Sequence, residues 1–165
     1  LTIRDPRERP LEKQQAADEK HRRFRDEHFD FTALLNLWNH YHEQARQLSK
    51  NQLRNLCQAE FLSFVRMREW HDLHQKLLER VTRMGMRLNT EPASYDSLHR
   101  VLLTGLLGHL GLKQKESIYL GARGRNFYLF PGSGLFRKRP RWVMAAELVE
   151  TTRLYACTAA RIDPK

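Results

Sequence analysis

Ile118-Tyr119-Leu120-Gly121-Ala122-Arg123-Gly124-Arg125-Asn126-Phe127-Tyr128-Leu129-Phe130 is the stretch that decides the fold class. Two short runs rich in aromatic and branched residues flank a turn punctuated by glycine. That pattern favours paired strands over a helix. Pro131, Gly132 and Gly134 break the chain again just beyond, as expected of a small antiparallel sheet. Toward the C-terminus, residues 142–162 are ambiguous on propensity alone. Met144-Ala145-Ala146-Glu147-Leu148 leans helical, whereas Trp142, Val143, Val149, Thr151, Thr152, Tyr155 and Thr158 lean toward strand.

Toward the N-terminus the period changes to that of helices. Ser94 is placed to cap a helix over Tyr95–His109, with Leu98, Val101, Leu102, Leu106 and Leu110 as its stripe and Gly111 as its stop. Asn89 to Pro92 reads as a linker. Before it, residues 31–85 form a helical unit. Asp30 is a good N-cap for a helix whose apolar face carries Phe31, Leu34, Leu35, Trp38, Tyr41, Ala45 and Leu48. Ser49 can cap a short helix with Leu53, Leu56 and Cys57. A longer helix follows, with Phe61, Phe64, Val65, Leu73, Leu77, Val81 and Met84 assigned to its buried side and Gly85 as a left-handed stop. Residues 11–28 form a polar, helix-permissive surface segment, and residues 1–10, with two prolines, an extended opening segment.

The chain has 165 residues, enough for one domain or two small ones and too few for a two-lobed motor enzyme. Its mean hydropathy is −0.69, and no apolar run approaches the roughly 20 residues of a membrane-spanning helix. Leu1 follows no initiator methionine and opens no signal-peptide pattern, so the sequence reads as starting inside a longer polypeptide. Cys57 and Cys157 lie in no metal-ligand or redox spacing. They read as small hydrophobes in a reduced, cytosolic setting.

The net charge is +10, unevenly spread. Residues 1–30 balance, whereas Lys113 to Arg141 holds eight basic side chains against Glu116 alone. Such a field attracts polyanions: nucleic acid first, an anionic membrane surface second, with a basic face kept for solubility as the bland alternative. Arg123 and Arg125 bracket the turn glycine. Arg137-Lys138-Arg139-Pro140-Arg141 forms a second basic loop, and Phe127, Tyr128 and Phe130 lie between the two. Basic loops with interleaved aromatics suit single-stranded nucleic acid, the cations on phosphates and the rings against bases. Taken singly, each aromatic is more readily a packing residue.

Other motifs carry no chemistry. No glycine is followed by lysine, so there is no phosphate-binding loop and no basis for NTP hydrolysis by this segment. Asp18-Glu19-Lys20-His21 spells a helicase-like tetrapeptide, but Glu12 to Ala17 before it cannot be the buried strand such a motif needs. His71 and His74 share a helix face without a third ligand, and no nucleophile–base grouping follows from spacing.

Four stretches resemble the C-terminal auxiliary region of DEAH-box ATP-dependent RNA helicases, most of all the bacterial HrpA type. They are Asp5-Pro6-Arg7-Glu8-Arg9-Pro10, Leu34-Leu35-Asn36-Leu37-Trp38, Phe130-Pro131-Gly132-Ser133-Gly134-Leu135-Phe136, and Trp142 through Thr151. The resemblance spans essentially the whole chain. It implies an α+β architecture: a connector over residues 1–30 following a winged-helix domain, a helical ratchet-like domain over 31–92, then a bridging helix and a small antiparallel OB-fold-like barrel over 93–165, with the family region extending past Lys165. It makes residues 142–149 and 153–162 strands. It also implies an accessory module, itself not an enzyme, that helps line a tunnel for single-stranded RNA moved 3′ to 5′ by motor lobes using ATP and Mg²⁺. Partners are then RNA, the motor and winged-helix domains and a protein activator, without a membrane; the alternative role is a docking platform for such an activator or a ribonucleoprotein. RNA contacts are expected from Arg66 and Arg68 on the helical side. On the barrel side they are expected from Arg123, Arg125, Ser133, Arg137, Lys138, Arg139 and Arg141. Many eukaryotic relatives carry His-Pro-Ser-Ser at positions 130–133, so only Pro131 and Ser133 carry over.

Overall fold

A computed structural model describes residues 4–26 and 29–163. Residues 1–3 of the opening segment, 27–28 of the polar segment and 164–165 of the barrel region lie outside the described residues. The chain divides into two compact units, Leu1–Phe24 with Asn36–Glu91, and Arg25–Leu35 with Pro92–Lys165.

The first unit is helical. It holds α1 (Gln14–Arg22), most of α2 (Asp30–Gln47), α3 (Lys50–Ala59) and α4 (Phe64–Arg83). Ser49 and Gln52 form a reciprocal capping box at the start of α3, and Ser63 caps α4 by accepting from the Arg66 N–H. The core is built from Phe24, Leu37, Tyr41, Leu53, Cys57, Leu62 and Met67. The opening segment is pinned as a short bridge onto the α3–α4 connection, the Glu8 N–H donating to the Phe61 carbonyl and the Ser63 N–H to that of Pro6. Glu60 is buried, yet its carboxylate lies 2.6 Å from Arg23 and 3.0 Å from His40, which supply the partners a buried charge needs.

α4 corrects the expected buried face. Val65, Leu77 and Met84 are 63%, 52% and 66% exposed, while Met67 is fully buried. Ser63 fixes the helix start, and each residue turns the next by about 100°, so Val65 cannot share the stripe that Phe64 and Met67 form. The stripe is completed by Trp70 and His71, which a search for aliphatic residues passes over. Gly85 does take the left-handed conformation, with φ of +77°.

The second unit is the α+β part: the first six residues of α2, then α5 (Tyr95–Gly105), β1 (Leu110–Lys113), β2 (Ile118–Gly121), β3 (Asn126–Leu129), β4 (Trp142–Glu150) and β5 (Leu154–Arg161). The strands close into a barrel in the order β1-β2-β3-β5-β4, with β4 returning to β1. Every ladder is antiparallel except β3 with β5, which pairs Tyr128 with Tyr155 and Leu129 with Ala156. Ser94 caps α5 as expected, but the helix ends earlier than His109. A 3-10 turn over Leu107–His109 leads into β1, whose Leu110 and Gly111 the sequence assigns to the stripe and stop of the helix. Its alternation, Leu110-Gly111-Leu112, is too short to register as period two.

Tyr119, Phe127, Leu129, Leu135, Val143, Ala145, Ala156 and Ala159 fill the barrel. Gly111 and Gly121 face each other across β1 and β2, and the Phe127 ring occupies the space their missing side chains leave. A Cβ on Gly111 would sit 2.2 Å from Phe127 Cζ. β4 and β5 form the long hairpin implied by the resemblance. Buried Val143, Met144 and Ala145 show tertiary packing overriding the helical propensity of the Ala-Ala-Glu run.

Asp30 is the second correction. It is the first residue of α2 rather than its cap. Its carboxylate instead accepts from the Ser133 hydroxyl at 2.6 Å, the Gly134 N–H at 2.9 Å and the Ala159 N–H at 2.8 Å. The preceding residue in β5, Thr158, has φ of +51°, an unusual value for a branched side chain, at the point where Ala159 donates to Asp30. Among the described residues no helix is long and apolar enough to cross a membrane.

Candidate nucleic-acid interface

The β3–β4 connection builds the basic surface. Its Leu135 side chain is buried in the barrel core. The backbone coils around that anchor through bonds from Phe136 N–H to the Ser133 carbonyl and from Arg139 N–H to that of Leu135. With Leu135 inside, the next residues face outward: Arg137, Lys138 and Arg141 are exposed. Arg139 is half-buried, donating from Nε to the Phe136 carbonyl and lying 5.7 Å from the Phe136 ring. The Lys113 N–H donates to the Arg141 carbonyl, so Lys113 joins this end of the barrel.

Ser133 stands apart from these arginines. Its hydroxyl donates to Asp30 and accepts from the Leu135 N–H, holding the loop's conformation. Arg123 and Arg125 occupy the turn between β2 and β3, both exposed, with Arg125 3.7 Å from Glu150. Lys113 pairs with Tyr119 at the start of β2, whereas Arg123 follows its end. The two basic loops therefore lie at opposite ends of a four-residue strand, about 10 Å apart. Arg123 and Arg139 have φ of +58° and +45°. Left-handed non-glycine residues of this kind gather at functional turns.

Around Tyr128 and Arg139, which the sequence already marks, the structure gathers residues that the sequence does not. Tyr128, Tyr155, Phe136 and Pro131 line a cleft of about 190 Å³ together with Ser117, Tyr119, Leu129, Arg139 and Arg153. The Arg153 guanidinium lies 4.9 Å over the Tyr128 ring, and the Tyr128 and Tyr155 ring centres are 6.2 Å apart. No sequence signal joins Tyr155 to Tyr128, because only the parallel β3–β5 ladder pairs them. Burial pushes the Tyr119 phenol up to about 12, so it stays neutral and donates to the Pro140 carbonyl at 2.8 Å.

In the first unit, Arg66 donates to the Asp5 carbonyl at 3.0 Å. Arg68 is exposed along an open groove of about 860 Å³, where Lys50, Arg54 and Arg68 face Glu8, Glu69 and Asp72. That groove is electrically mixed, unlike the barrel's basic end. His71 lies 2.8 Å from His42, and His74 packs on Trp38. Among the described residues no grouping of three or more His, Cys, Asp or Glu is placed to hold a metal ion.

The five-stranded closed order, with its single parallel ladder and basic loops, is that of an OB-fold module. Residues 98–165 match the family described as oligonucleotide/oligosaccharide-binding (OB) fold. Over its whole length the chain is homologous to a region of HrpA-type DEAH-box RNA helicases. It is 54% identical to the ATP-dependent RNA helicase HrpA of Escherichia coli and 53% identical to the HrpA homologue of Haemophilus influenzae, each over 166 aligned residues. It is 25% identical over 95% of its length to the pre-mRNA-splicing factor ATP-dependent RNA helicase prp22 of Schizosaccharomyces pombe. The chain spans about 13% of the length of each of these curated relatives.

Proposed function

We propose that the chain is a single-stranded RNA-binding accessory module of a DEAH-box helicase that helps form the RNA tunnel and holds the strand during 3′-to-5′ unwinding. The observation that carries this is the basic segment Lys113 to Arg141, with its eight cations, displayed on a closed OB barrel. Phosphate contacts from Arg123, Arg125, Arg137, Lys138, Arg139 and Arg141 are sequence-blind and position the strand. Arg66 and Arg68 are the RNA contacts of the helical unit. Chemistry belongs to the motor lobes of the parent protein, which take ATP and Mg²⁺; the motor and winged-helix domains are the module's partners, and the parent works on RNA in the cytoplasm. A protein activator docking on the basic face is the competing use of that surface.

Photocross-linking tests the reading. A single-stranded RNA carrying 4-thiouridine is irradiated with the chain and adducts are mapped by mass spectrometry. Adducts concentrated between Lys113 and Arg141 are expected. RNA adducts confined to the helical unit, or none where an acidic protein ligand binds, contradict it.

A further inference from the structure

We propose that His42 and His71 form a two-histidine site for a divalent transition metal of tetragonal preference, copper(II) or nickel(II), which clamps α2 to α4. The site lies wholly within the helical unit and is independent of the RNA-binding reading. His71 and His74 share a face of α4, and their spacing alone offers no further ligand. The fold supplies one from another helix: His42 Nε2 lies 2.8 Å from His71 Nδ1. His42 is already oriented as a ligand. Its Nδ1 donates to the Trp38 carbonyl at 2.9 Å, one turn back on α2, which leaves the Nε2 lone pair facing His71. The Trp38 ring packs on His42 with 3.9 Å between ring centres and holds the imidazole in place. Both histidines are half-buried, so an ion reaches them from solvent.

Distance and donor type select the ion. Metal–imidazole bonds run about 2.0–2.1 Å, so two nitrogens 2.8 Å apart subtend about 85–90° at a shared ion. That is the angle between neighbouring ligands of a square-planar or tetragonal ion, whereas a tetrahedral zinc site needs about 109°. Hard ions held by charge are disfavoured. Among the described residues no carboxylate joins the pair, and the Arg46 charge acts on His42. Water completes the coordination. On binding, the proton leaves His71 Nδ1 for solvent and Nε2 takes one up. Both rings then ligate as neutral imidazoles, and the ion replaces the hydrogen bond between them. A small turn of the His71 ring brings its lone pair from His42 Nε2 onto the ion.

The test titrates the untagged 165-residue chain with nickel(II) chloride and follows tryptophan fluorescence and melting temperature. Trp38 lies against His42, so a bound paramagnetic ion quenches it. Nickel is the probe because the free thiols of Cys57 and Cys157 reduce copper(II). Saturable quenching is expected. At a hundred times the dissociation constant, the melting temperature is expected to rise by about 5–10 °C. His42→Asn and His71→Asn should each abolish both responses, while His74→Asn keeps them. Circular dichroism of the metal-free variants confirms that the helices are retained. Zinc(II) is expected to bind more weakly than nickel(II). Absence of saturable quenching in the native chain overturns the site. So does quenching that survives in either ligand variant or is lost in His74→Asn. Zinc(II) binding more tightly than nickel(II) overturns the tetragonal assignment.

Discussion

At the scale of single residues, Asp30 shows how one side chain can be read correctly in type and wrongly in partner. An aspartate before an apolar helical run predicts a cap, but three donors on the β3–β4 connection and β5 claim both of its oxygens. Asp30→Ala is expected to lower stability by about 2–3 kcal/mol, because charged hydrogen bonds are lost and part-buried N–H groups are left unpaired. Urea denaturation measures this, and a change below about 0.5 kcal/mol would remove Asp30 from the account of how the basic loop is held. His42 carries the pH dependence. Its Nδ1 faces the Trp38 carbonyl at 2.9 Å and donates to it; in the neutral ring Nε2 then accepts from His71 at 2.8 Å. Burial, and then the neighbouring His71, His74 and Arg46 charges, hold its pKa below the ordinary 6.5. The unfolded chain binds this proton more readily than the folded one. Stability is therefore full above pH 6.5 and falls as pH drops below it. His21, also lowered, chiefly by burial, acts with the same sign. Melting temperatures at pH 7.5 and pH 5.5 are expected to be lower at the acid value, with a smaller difference in His42→Asn.

At the scale of elements, caps and turns were legible and faces less so. Ser49, Ser94 and Gly85 do what their residue types predict, because a cap is a local contact written within a few positions. The buried side of α4 was not legible. Its interior neighbours are chosen by the fold, and Trp70 and His71 serve there in place of Val65 and Leu77. Met67→Ala is accordingly expected to cost about 2–4 kcal/mol. Leu77→Ala, on a half-exposed position, should stay within about 0.5 kcal/mol. Chemical denaturation of the pair separates the two faces, and the reverse ranking would restore the face drawn from aliphatic spacing. β1 escaped for a different reason: with glycine at its centre it has almost no side-chain signal. That glycine exists to admit the Phe127 ring from another strand. Gly111→Val should therefore destabilise the barrel by at least about 2 kcal/mol, read as a drop in melting temperature.

At the scale of the whole molecule, the strand-forming segments between Ile118 and Phe130 point to a small sheet, and the family resemblance implies its closure into a barrel. Charge counting found the loops displayed on it. What stayed hidden was long-range: the parallel β3–β5 ladder that joins Tyr128 to Tyr155 and brings Arg153 beside Arg139. The same long-range structure separates the two basic loops along β2, so the proposed RNA path crosses the barrel rather than ending on one cluster. The most direct test is fluorescence anisotropy of a labelled single-stranded RNA titrated with the chain over a series of salt concentrations. It is run beside a variant with Arg137, Lys138, Arg139 and Arg141 all changed to alanine. Binding that weakens steeply with salt is predicted, with the log–log slope shallower by about 2–3 in the variant, as four lost phosphate contacts require for a single strand. Binding that is absent at low salt, or whose salt slope is the same in the variant, would contradict the claim that this loop holds RNA.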